Sequence, residues 1–530
     1  MTTNLIKRMV LAGVLAFAIT SCTDDLDLTP KYEVTSATLY QDFANYKPVL
    51  AKLYGGYAVT GLKGADGAPD LAGFDEGKSN YVRALWTLQE LSTDEAVIAW
   101  SDVFPVHNMN WNSGTEAVRM MYDRIFYQIA LCNEFIRNTT DAKLNENGIS
   151  EANQVEARKY RAEARFMRAM SYWHALDMYG NVPFVTEADP VGFFTPPQMS
   201  RTELFNFVEA ELKAVEAELV APRQNEYPRA DKAAAWMVLA KLYQNAEVYT
   251  GQARYTDAIT YAKRVIDAGY TLAPTYQSLF QADNDKLARP TSAQQEIILP
   301  IAFDGINTRS WGGTTFLIHA QLGANMNAQT DYGVSGGWGG IRTTPQVIDL
   351  FPSGDSRGIY HTTGHTKEIE AINDFTNGYP LTKFKNIKSG GGAGSHLEFP
   401  DTDFPLFRLA DAYLIYAEAV LRGGAGGDRA TALGYINALR QRAYGNTSGN
   451  ITDEQLTLDF ILDERARELH WEGHRRTDLI RFGKFTSGSY LWAWKGGVEA
   501  GRGVAEYRRL YPIPASDLAA NPNLKQNTGY

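Results

Sequence analysis

Long stretches of this chain place small and apolar residues three or four positions apart, the spacing that lines one face of an α-helix. The clearest stretch has its apolar face at Ala162, Phe166, Ala169, Trp173 and Leu176. It is followed by Gly180 and Pro183, residues that commonly end a helix. The same spacing predicts further helices near residues 116–137, 202–219, 231–248, 255–268, 407–421, 429–442 and 453–474. A mainly α-helical chain is therefore expected.

The predicted helices also fall into pairs. In each pair, the spacing of small and apolar residues matches that of the first and then the second helix of a tetratricopeptide repeat. In the clearest pair the first helix carries Trp236, Leu239, Ala240 and Tyr243, and the second carries Ala258, Ala262 and Val265. The other three pairs are Tyr122, Ile125, Phe126 and Ile129 with Ala162, Phe166 and Ala169; Ala169, Tyr172, Trp173 and Leu176 with Ala210, Ala214 and Ala217; and Leu409, Ala412, Tyr413 and Tyr416 with Ala432, Ile436 and Leu439. The pattern predicts a tetratricopeptide-like scaffold of four units.

Loop-rich stretches lie between the helices. Residues 55–80, 304–345 and 386–404 are dense in Gly, Asp and Asn and show little periodicity. Loops carried on a rigid frame often hold the binding residues of a protein. We expect residues 22–530 to form a single domain, with a ligand-binding face built from loop-rich insertions at about 55–115, 271–405 and 484–530.

The first 21 residues have the features of an export signal. The basic pair Lys7-Arg8 precedes an apolar run over residues 9–19, which is too short to span a bilayer. The run leads into Ile-Thr-Ser-Cys at residues 19–22, which resembles a lipobox. A lipoprotein signal peptide over residues 1–21 and a lipid anchor at Cys22 are predicted; an ordinary secretory signal with a chance Cys is the alternative. Three acidic residues then resemble the export tag of surface lipoproteins in some Gram-negative bacteria: Asp24, Asp25 and Asp27.

Charge and cysteine content narrow the choice of partners. The formal net charge of −10 repels phosphate backbones, which argues against a nucleic-acid partner. The chain has two Cys, so a lipidated Cys22 leaves Cys132 without a partner for an internal disulfide. Because Cys132 lies in an apolar helical stretch, it is predicted to be a small buried hydrophobic residue.

No sequence motif points clearly to catalysis. No Gly-x-x-x-x-Gly-Lys-Ser/Thr phosphate loop occurs. His470 and His474 are one helical turn apart, but Glu472 is misplaced for a zinc protease motif. Asp94-Glu95 could be offered as glycosidase carboxylates, yet after Ser92-Thr93 they fit a helix start better. A binding protein is expected and not an enzyme, with a glycoside hydrolase as the less favoured alternative.

Three tryptophans stand in settings that favour ligand contact. Trp311 and Trp338 are flanked by glycines, and Trp100 follows the acidic Asp94-Glu95 stretch. Tryptophans beside glycines lack the bulky neighbours of a packed helix, although each could also anchor its loop to the core. Because flat indole faces match the apolar faces of pyranose rings, the three predict a sugar platform.

Several segments together resemble the SusD/RagB family, and in particular its starch-binding outer-membrane lipoprotein. The resemblance runs from Cys22 essentially to the C-terminus. The segments that carry it are residues 64–71 (GADGAPDL), 75–77 (DEG), 162–169 (AEARFMRA), 229–234 (RADKAA), 296–301 (EIILPI), 400–403 (PDTD) and 475–483 (RRTDLIRFG). It implies a fold of four tetratricopeptide-like units with a loop-rich binding face. It also implies a SusC-like, TonB-dependent barrel partner, and capture of starch-like α-glucan or maltooligosaccharides at the outer membrane, facing the exterior.

The resemblance also assigns site residues. The aromatic arc of the starch-binding member falls on Trp100, Trp311 and Trp338, and its polar contacts fall on Asp75 and Arg83. Two departures concern neighbouring contacts: a Trp of that protein is replaced by Ile98, and an amide position by Val103. A preference for another chain length or linkage is therefore kept open. Binding of a different glycan or of a peptide, and a pure scaffold that only closes the transporter, are the remaining alternatives.

No cofactor is expected to be required for function. The resemblance implies one bound ion, a structural calcium. Its ligand positions fall on Asp285, Gln295, Asp401 and Asp403. Oxygen-rich side chains suit Ca²⁺. Aspartates that merely cap turns are the alternative reading of the same residues.

Overall fold

The computed structural model describes residues 36–287 and 295–530. The predicted signal peptide, the predicted anchor Cys22 and the acidic residues after it lie outside these ranges. Over the described ranges the chain is mainly helical, as predicted, and no helix there combines the length and the apolar character needed to cross a membrane.

The α-helices, numbered in chain order, are α1 Ser36–Leu39, α2 Tyr46–Ala58, α3 Tyr81–Gln89, α4 Phe104–His107, α5 Glu116–Asn138, α6 Asp141–Glu146, α7 Glu151–Met178, α8 Arg201–Glu216, α9 Lys232–Gln244, α10 Ala246–Thr250, α11 Tyr255–Ile266, α12 Gly313–Ala320, α13 Ala328–Tyr332, α14 Pro345–Ile348, α15 Leu409–Leu421, α16 Arg429–Tyr444, α17 Leu458–Leu469, α18 Arg475–Arg481 and α19 Ala515–Ala520. Side-chain caps start several of them. Ser200 and Glu203 form a capping box at α8, and Asp231 accepts from two backbone amides at α9.

All four predicted helix pairs pack against each other: α5 with α7, α7 with α8, α9 with α11, and α15 with α16. The long helix α7 serves two pairs: its Arg168 contacts Asn133 of α5 at 2.8 Å and Glu211 of α8 at 2.8 Å. The apolar residues of the repeated pattern lie in the core, among them Phe166, Leu239 and Ile436, which have no exposed surface. The helical frame is therefore confirmed, while the number of repeat units stays a prediction.

Short strands connect distant parts of the chain. They form three antiparallel pairs: β1 Val97–Ile98 with β5 Ile341–Arg342, β2 Val182–Pro183 with β3 Gln198–Met199, and β4 Ile297–Ile301 with β6 Phe404–Arg408. The β4–β6 pair is buried along its whole length and joins the helical frame to the loop-rich face. The β1–β5 pair lies within that face.

Two local predictions were wrong. The helix expected over 453–474 is interrupted, because Trp471 adopts a positive φ of 63° between α17 and α18. Asp94-Glu95 does not start a helix; both residues are buried in the turn between α3 and β1. Asp94 accepts two hydrogen bonds from Arg475, at 2.8 and 2.7 Å, so it is a structural carboxylate.

Other predictions about single residues hold. Cys132 is a buried free thiol in α5, and burial raises its pKa to about 12. His470 and His474 are packed against protein groups, as one of their readings expected: both are buried, the His470 ring lies 3.3 Å from the Glu95 carbonyl, and the His474 ring lies 3.0 Å from the Lys241 ammonium.

Candidate functional site

The β1–β5 pair brings two of the predicted tryptophans together. Trp100 follows β1 and Trp338 precedes β5, and because the strands are antiparallel both residues emerge at the same end. The backbone N–H of Ala99 extends the pairing by donating to the Gly340 carbonyl, at 2.9 Å. A Cβ on Gly340 would lie 2.6 Å from the Trp100 ring, so only glycine allows this close approach.

Trp311 is positioned by the segment that precedes α3. The Glu76 carboxylate accepts from the Trp311 N–H at 2.9 Å, and the Asn80 side chain accepts from the Gly313 N–H at 2.9 Å. A Cβ on Gly312 would lie 2.1 Å from the Asn80 Cβ. The turn that carries Trp311 is thus held closely against the residues that lead into α3.

The three tryptophans form a continuous arc. Trp338 is in the middle: its ring centroid lies 6.4 Å from that of Trp100 and 6.3 Å from that of Trp311. The planes are inclined by 41° and 48°, so the surface they offer is not flat. Each of the three is half-buried and keeps part of its ring accessible. The structure therefore brings the predicted aromatic residues together.

A second layer of rings supports the arc from behind. Phe316 packs against Trp100 at 6.2 Å, Phe399 packs against Trp311 at 4.9 Å, and the imidazole of His319 stacks under Trp338 at 4.9 Å with planes only 16° apart. All three supporting residues are buried. Because their partners are packed on one side, the tryptophans present their other side as a fixed surface.

Arg83 lies at the Trp100 end of the arc. Its guanidinium is 4.4 Å from the centre of the Phe316 ring and 5.9 Å from that of Trp100, and it donates to the Trp311 carbonyl at 3.3 Å. Burial lowers the pKa of Arg83 to about 10, against the attraction of Asp75 and two other acids. A cation on these ring faces is favourable and fixes the side chain beside the arc.

Asp75 is an exposed residue in the segment that precedes α3. One oxygen of its carboxylate accepts from the backbone N–H of Lys78 at 3.0 Å. The charge of Asp75 acts on Arg83, and Asp75 is next to Glu76, which binds the Trp311 N–H, so a carboxylate and a guanidinium lie beside the arc.

The two departures from the starch-binding pattern have different surroundings. Ile98 is buried in β1 and paired with Ile341, so it belongs to the core and offers no ligand surface. Val103 is half-buried and packs against the core from a short 3₁₀ helix, Ser101–Val103. An additional stacking ring is therefore absent at position 98.

The four predicted calcium ligands do not form one described cluster. The amide oxygen of Gln295 accepts from the guanidinium of Arg223, a cation. Asp401 accepts from Gly305 and Ser395, and no group of three or more His, Cys, Asp or Glu suited to a metal occurs in the described ranges, where Asp285 also lies. Asp403 is better suited to bind a cation than Gln295 or Asp401. It is buried, one of its oxygens has no hydrogen-bond partner among the described residues, and burial raises its pKa to about 8.

An apolar cavity of about 360 Å³ lies away from the arc, between α2, α7 and β4. Leu50, Phe166, Met170 and Leu299 are among its lining residues. Specific small-molecule sites combine apolar walls with a few converging polar groups. This cavity is lined almost wholly by apolar surface, so we assign no ligand to it.

A curated relative matches this chain over its whole length. The starch-binding protein SusD of Bacteroides thetaiotaomicron is 38% identical, and the match covers 100% of both chains. The chain belongs to the SusD family. The model of this family matches residues 364–530. A SusD-like protein of Bacteroides ovatus is 23% identical over 90% of this chain.

Solved structures of the SusD superfamily share the fold. One from Parabacteroides distasonis has a TM-score of 0.70 at 21% identity and covers 94% of this chain and 100% of its own. Surface glycan-binding protein A from Bacteroides uniformis has a TM-score of 0.66 at 21% identity and covers 92% of this chain and 99% of its own. The SusD fold therefore extends over nearly all of the chain.

Sequence reasoning missed the residues that hold the arc in place. Glu76, Asn80, His319 and Phe399 each act through a contact with a segment far away in the chain. Only Glu76 carried a signal, because it lies in one of the segments that resembled the family. The other three give no local pattern, since packing alone defines their role.

Proposed function

We propose that this chain binds starch-like α-glucan, or maltooligosaccharides, on the arc of Trp100, Trp338 and Trp311. The observation that carries the proposal is the spacing and inclination of the three accessible indoles. Indole faces stack on the apolar faces of sugar rings, and the arc offers three in succession. Asp75 and Arg83 are proposed to bond sugar hydroxyls at the edge of the arc. The 38% identity to a protein named for starch binding supports the same ligand.

The shape of the arc favours a curved glucan over a straight one. Successive indole planes turn by 41° and 48°, so rings stacked on them must also turn. An α-1,4-linked chain bends in this way, whereas a β-1,4-linked chain is extended and flat. A flat chain would need nearly coplanar rings.

The protein is proposed to act as a lipid-anchored receptor on the exterior of the outer membrane, which captures the glycan and delivers it to a SusC-like TonB-dependent transporter without cleaving it. Membership of the SusD family supports this arrangement. The anchor is tested by Cys22→Ser, which removes the acyl chains that supply most of the membrane affinity. If the variant still fractionates with outer membranes of cells that lack the transporter, the anchor is wrong.

Calorimetry on the purified chain from residue 23 onward tests the ligand. Maltoheptaose should bind, and cellohexaose should bind at least tenfold more weakly. Incubation with maltoheptaose should release no new reducing ends; if it does, the hydrolase alternative replaces the receptor. Equal binding of both oligosaccharides, or binding of neither, would leave a different glycan, a peptide or a purely scaffolding role.

Calcium binding by Asp285, Gln295, Asp401 and Asp403 remains a proposal. The described ranges hold no preformed group of three carboxylates, so its support is the buried Asp403, one oxygen of which has no partner among the described residues. A ligand that binds only the folded state stabilises it by mass action. Chelation should therefore lower the melting temperature and leave glycan affinity nearly unchanged. An identical melting curve with and without chelator would remove the metal from the site.

A further inference from the structure

The imidazole under Trp338 makes contacts that a simple packing residue would not need. His319 lies in the last turn of α12, which begins two residues after Trp311, and has no exposed surface. Its Nδ1 is 2.7 Å from the Gly336 carbonyl oxygen, and its Nε2 is 2.9 Å from the Glu398 carbonyl oxygen. Both ring nitrogens therefore face carbonyl acceptors, and the ring face covers the indole. Because burial lowers the pKa of His319, the imidazole is neutral and its one N–H donates to one of the two carbonyls.

These two contacts join the supports of two different tryptophans. Gly336 is two residues before Trp338, and Glu398 is adjacent to Phe399, the ring that backs Trp311. A movement of either loop would change the distance between the two carbonyls that the imidazole spans. The ring of His319 thus links the middle of the arc to one of its ends.

The backbone around His319 fixes the same loop. The N–H of Trp338 donates to the His319 carbonyl at 2.8 Å, and the N–H groups of Gly339 and Gly340 donate to Leu322 and Ala320 at 2.7 and 2.9 Å. Carbonyls at the C-terminal end of a helix lack partners within the helix. The loop of Trp338 thus supplies partners at the end of α12, and the imidazole adds the side-chain contact.

We propose that His319 is a positioning residue of the glycan site, which sets the plane of Trp338 relative to Trp311 and so determines how well successive sugar rings stack. The inference rests on the proposed function of the arc. His319 is covered by Trp338 and does not itself touch the glycan. Its effect on affinity must therefore pass through the indole, which makes the proposal testable by a double-mutant cycle.

The test is calorimetry with maltoheptaose on four proteins: the parent chain, His319→Phe, Trp338→Ala and the double variant. Phe keeps a flat ring under the indole but removes both ring nitrogens, and with them the one N–H that donates to a carbonyl. His319→Phe should weaken binding about fivefold, the equivalent of one hydrogen bond. In the Trp338→Ala background the same substitution should change affinity by less than twofold. His174→Phe is the matched control, because His174 is also buried but lies in α7; it should leave affinity unchanged.

A rescue variant and a spectroscopic readout guard against misfolding. His319→Gln keeps a planar amide that still donates a hydrogen bond, so it should lose less affinity than His319→Phe. Tryptophan fluorescence of the ligand-free protein should change in His319→Phe, and this change should be lost in the Trp338→Ala background, since the imidazole stacks on the Trp338 indole. If His319→Phe does not fold, the cycle is run with His319→Gln, for which a smaller loss that vanishes in the Trp338→Ala background is expected.

The outcomes separate this inference from the function on which it rests. Parent-like affinity in both His319 variants, together with a large loss in Trp338→Ala, overturns the positioning role alone. An equal loss in the parent and Trp338→Ala backgrounds also overturns it, because the effect would not pass through the indole. No binding of maltoheptaose by the parent chain overturns the proposed function itself, and the positioning role with it.

Discussion

Buried arginines in two regions of this molecule have opposite surroundings. In the helical frame, Arg408 contacts the carboxylates of Glu296, Glu468 and Glu472 at 3.0, 2.6 and 2.6 Å. These charges raise the pKa of Arg408 well above its usual value, against the effect of burial. In the loop-rich face, Arg342 donates to four carbonyl oxygens and, within the part of the chain that the structure describes, to no carboxylate; burial lowers its pKa to about 9.

The difference shows how each region is held together. In the frame, opposite charges at the end of β6, on α17 and just before β4 fix elements that are far apart in the chain, and each charge depends on the others. In the face, dipoles of loop carbonyls and aromatic rings surround a cation, as at Arg342 and Arg83. Removal of one group from the frame should therefore cost stability, whereas changes in the face should mainly alter ligand binding.

The largest effect is expected for Arg408→Met. Removal of one partner from a buried ion network leaves uncompensated charge, which typically costs about 3–5 kcal/mol of folding free energy. Chemical denaturation should show a loss of about that size, while maltoheptaose affinity of the folded protein stays within twofold.

The control for this variant is Arg158→Met. Arg158 pairs with Asp141 at the surface, where ion pairs contribute about 0–1 kcal/mol. If Arg408→Met lowers the free energy of unfolding by no more than Arg158→Met does, the buried network is not what stabilises the frame.

The next effect concerns the arc. Central aromatic anchors commonly lose about 2 kcal/mol of binding free energy on truncation, roughly thirtyfold in affinity. Trp100→Ala, Trp311→Ala and Trp338→Ala should each weaken maltoheptaose binding by about that factor, with an unchanged circular dichroism spectrum.

Trp236→Ala is the matched control for the arc, because Trp236 is half-buried on α9 and makes no ring contact with the three. It should bind normally. Unchanged affinity in all three arc variants would contradict the assignment of the ligand to the loop-rich face.

The frame could be predicted from the sequence, because its signal is local. Each helix repeats apolar residues at a fixed spacing, so the bounds of helices such as α5 and α16 were expected to within two residues. The helix break at Trp471 could not be predicted, because a positive φ at a tryptophan depends on tertiary contacts. Here the backbone N–H of Trp471 donates to the Glu95 carboxylate, and its indole N–H donates to the Glu95 carbonyl.

The face was predicted only in part. Glycines beside Trp311 and Trp338, and the family resemblance, indicated the arc. The β1–β5 pair that assembles it has two residues in each strand and so has no periodicity that a sequence could show. The supporting role of His319 likewise depends on two backbone carbonyls, whose positions no residue type reveals.

Between the helical frame and the loop-rich face lies a third group of buried charges, the carboxyl pair Glu90 and Glu95. Burial raises the pKa of Glu90 to about 8, and burial together with the charge of Glu90 raises that of Glu95 well above its usual value. A carboxyl whose pKa is higher in the folded than in the unfolded state stabilises the fold when protonated. This contribution is complete below about pH 4.5 and is lost as the pH rises through about 8.

Glu90→Gln should therefore reduce the loss of stability between pH 5 and pH 9, by about 1 kcal/mol or more, since each unit of pKa shift is worth about 1.4 kcal/mol. The amide oxygen can still accept from the His474 N–H, as Glu90 does at 2.9 Å. Denaturation curves across this range measure it, with Glu146→Gln at an exposed position as control. Parallel pH profiles for parent and Glu90→Gln would show that this pair does not titrate as described.

The smallest effect, and the sharpest test of the comparison, is expected for Arg83→Met. A partly exposed hydrogen bond to a sugar hydroxyl is worth about 1 kcal/mol, so maltoheptaose affinity should fall about fivefold. Stability should be unchanged or slightly higher, because Arg83 is held by rings and a carbonyl, and its loss strands no carboxylate in the core. The same substitution at Arg408 should have the reverse pattern, with stability lost and affinity kept. If both variants lose stability equally, the two regions are held by the same forces and the distinction drawn between frame and face is wrong.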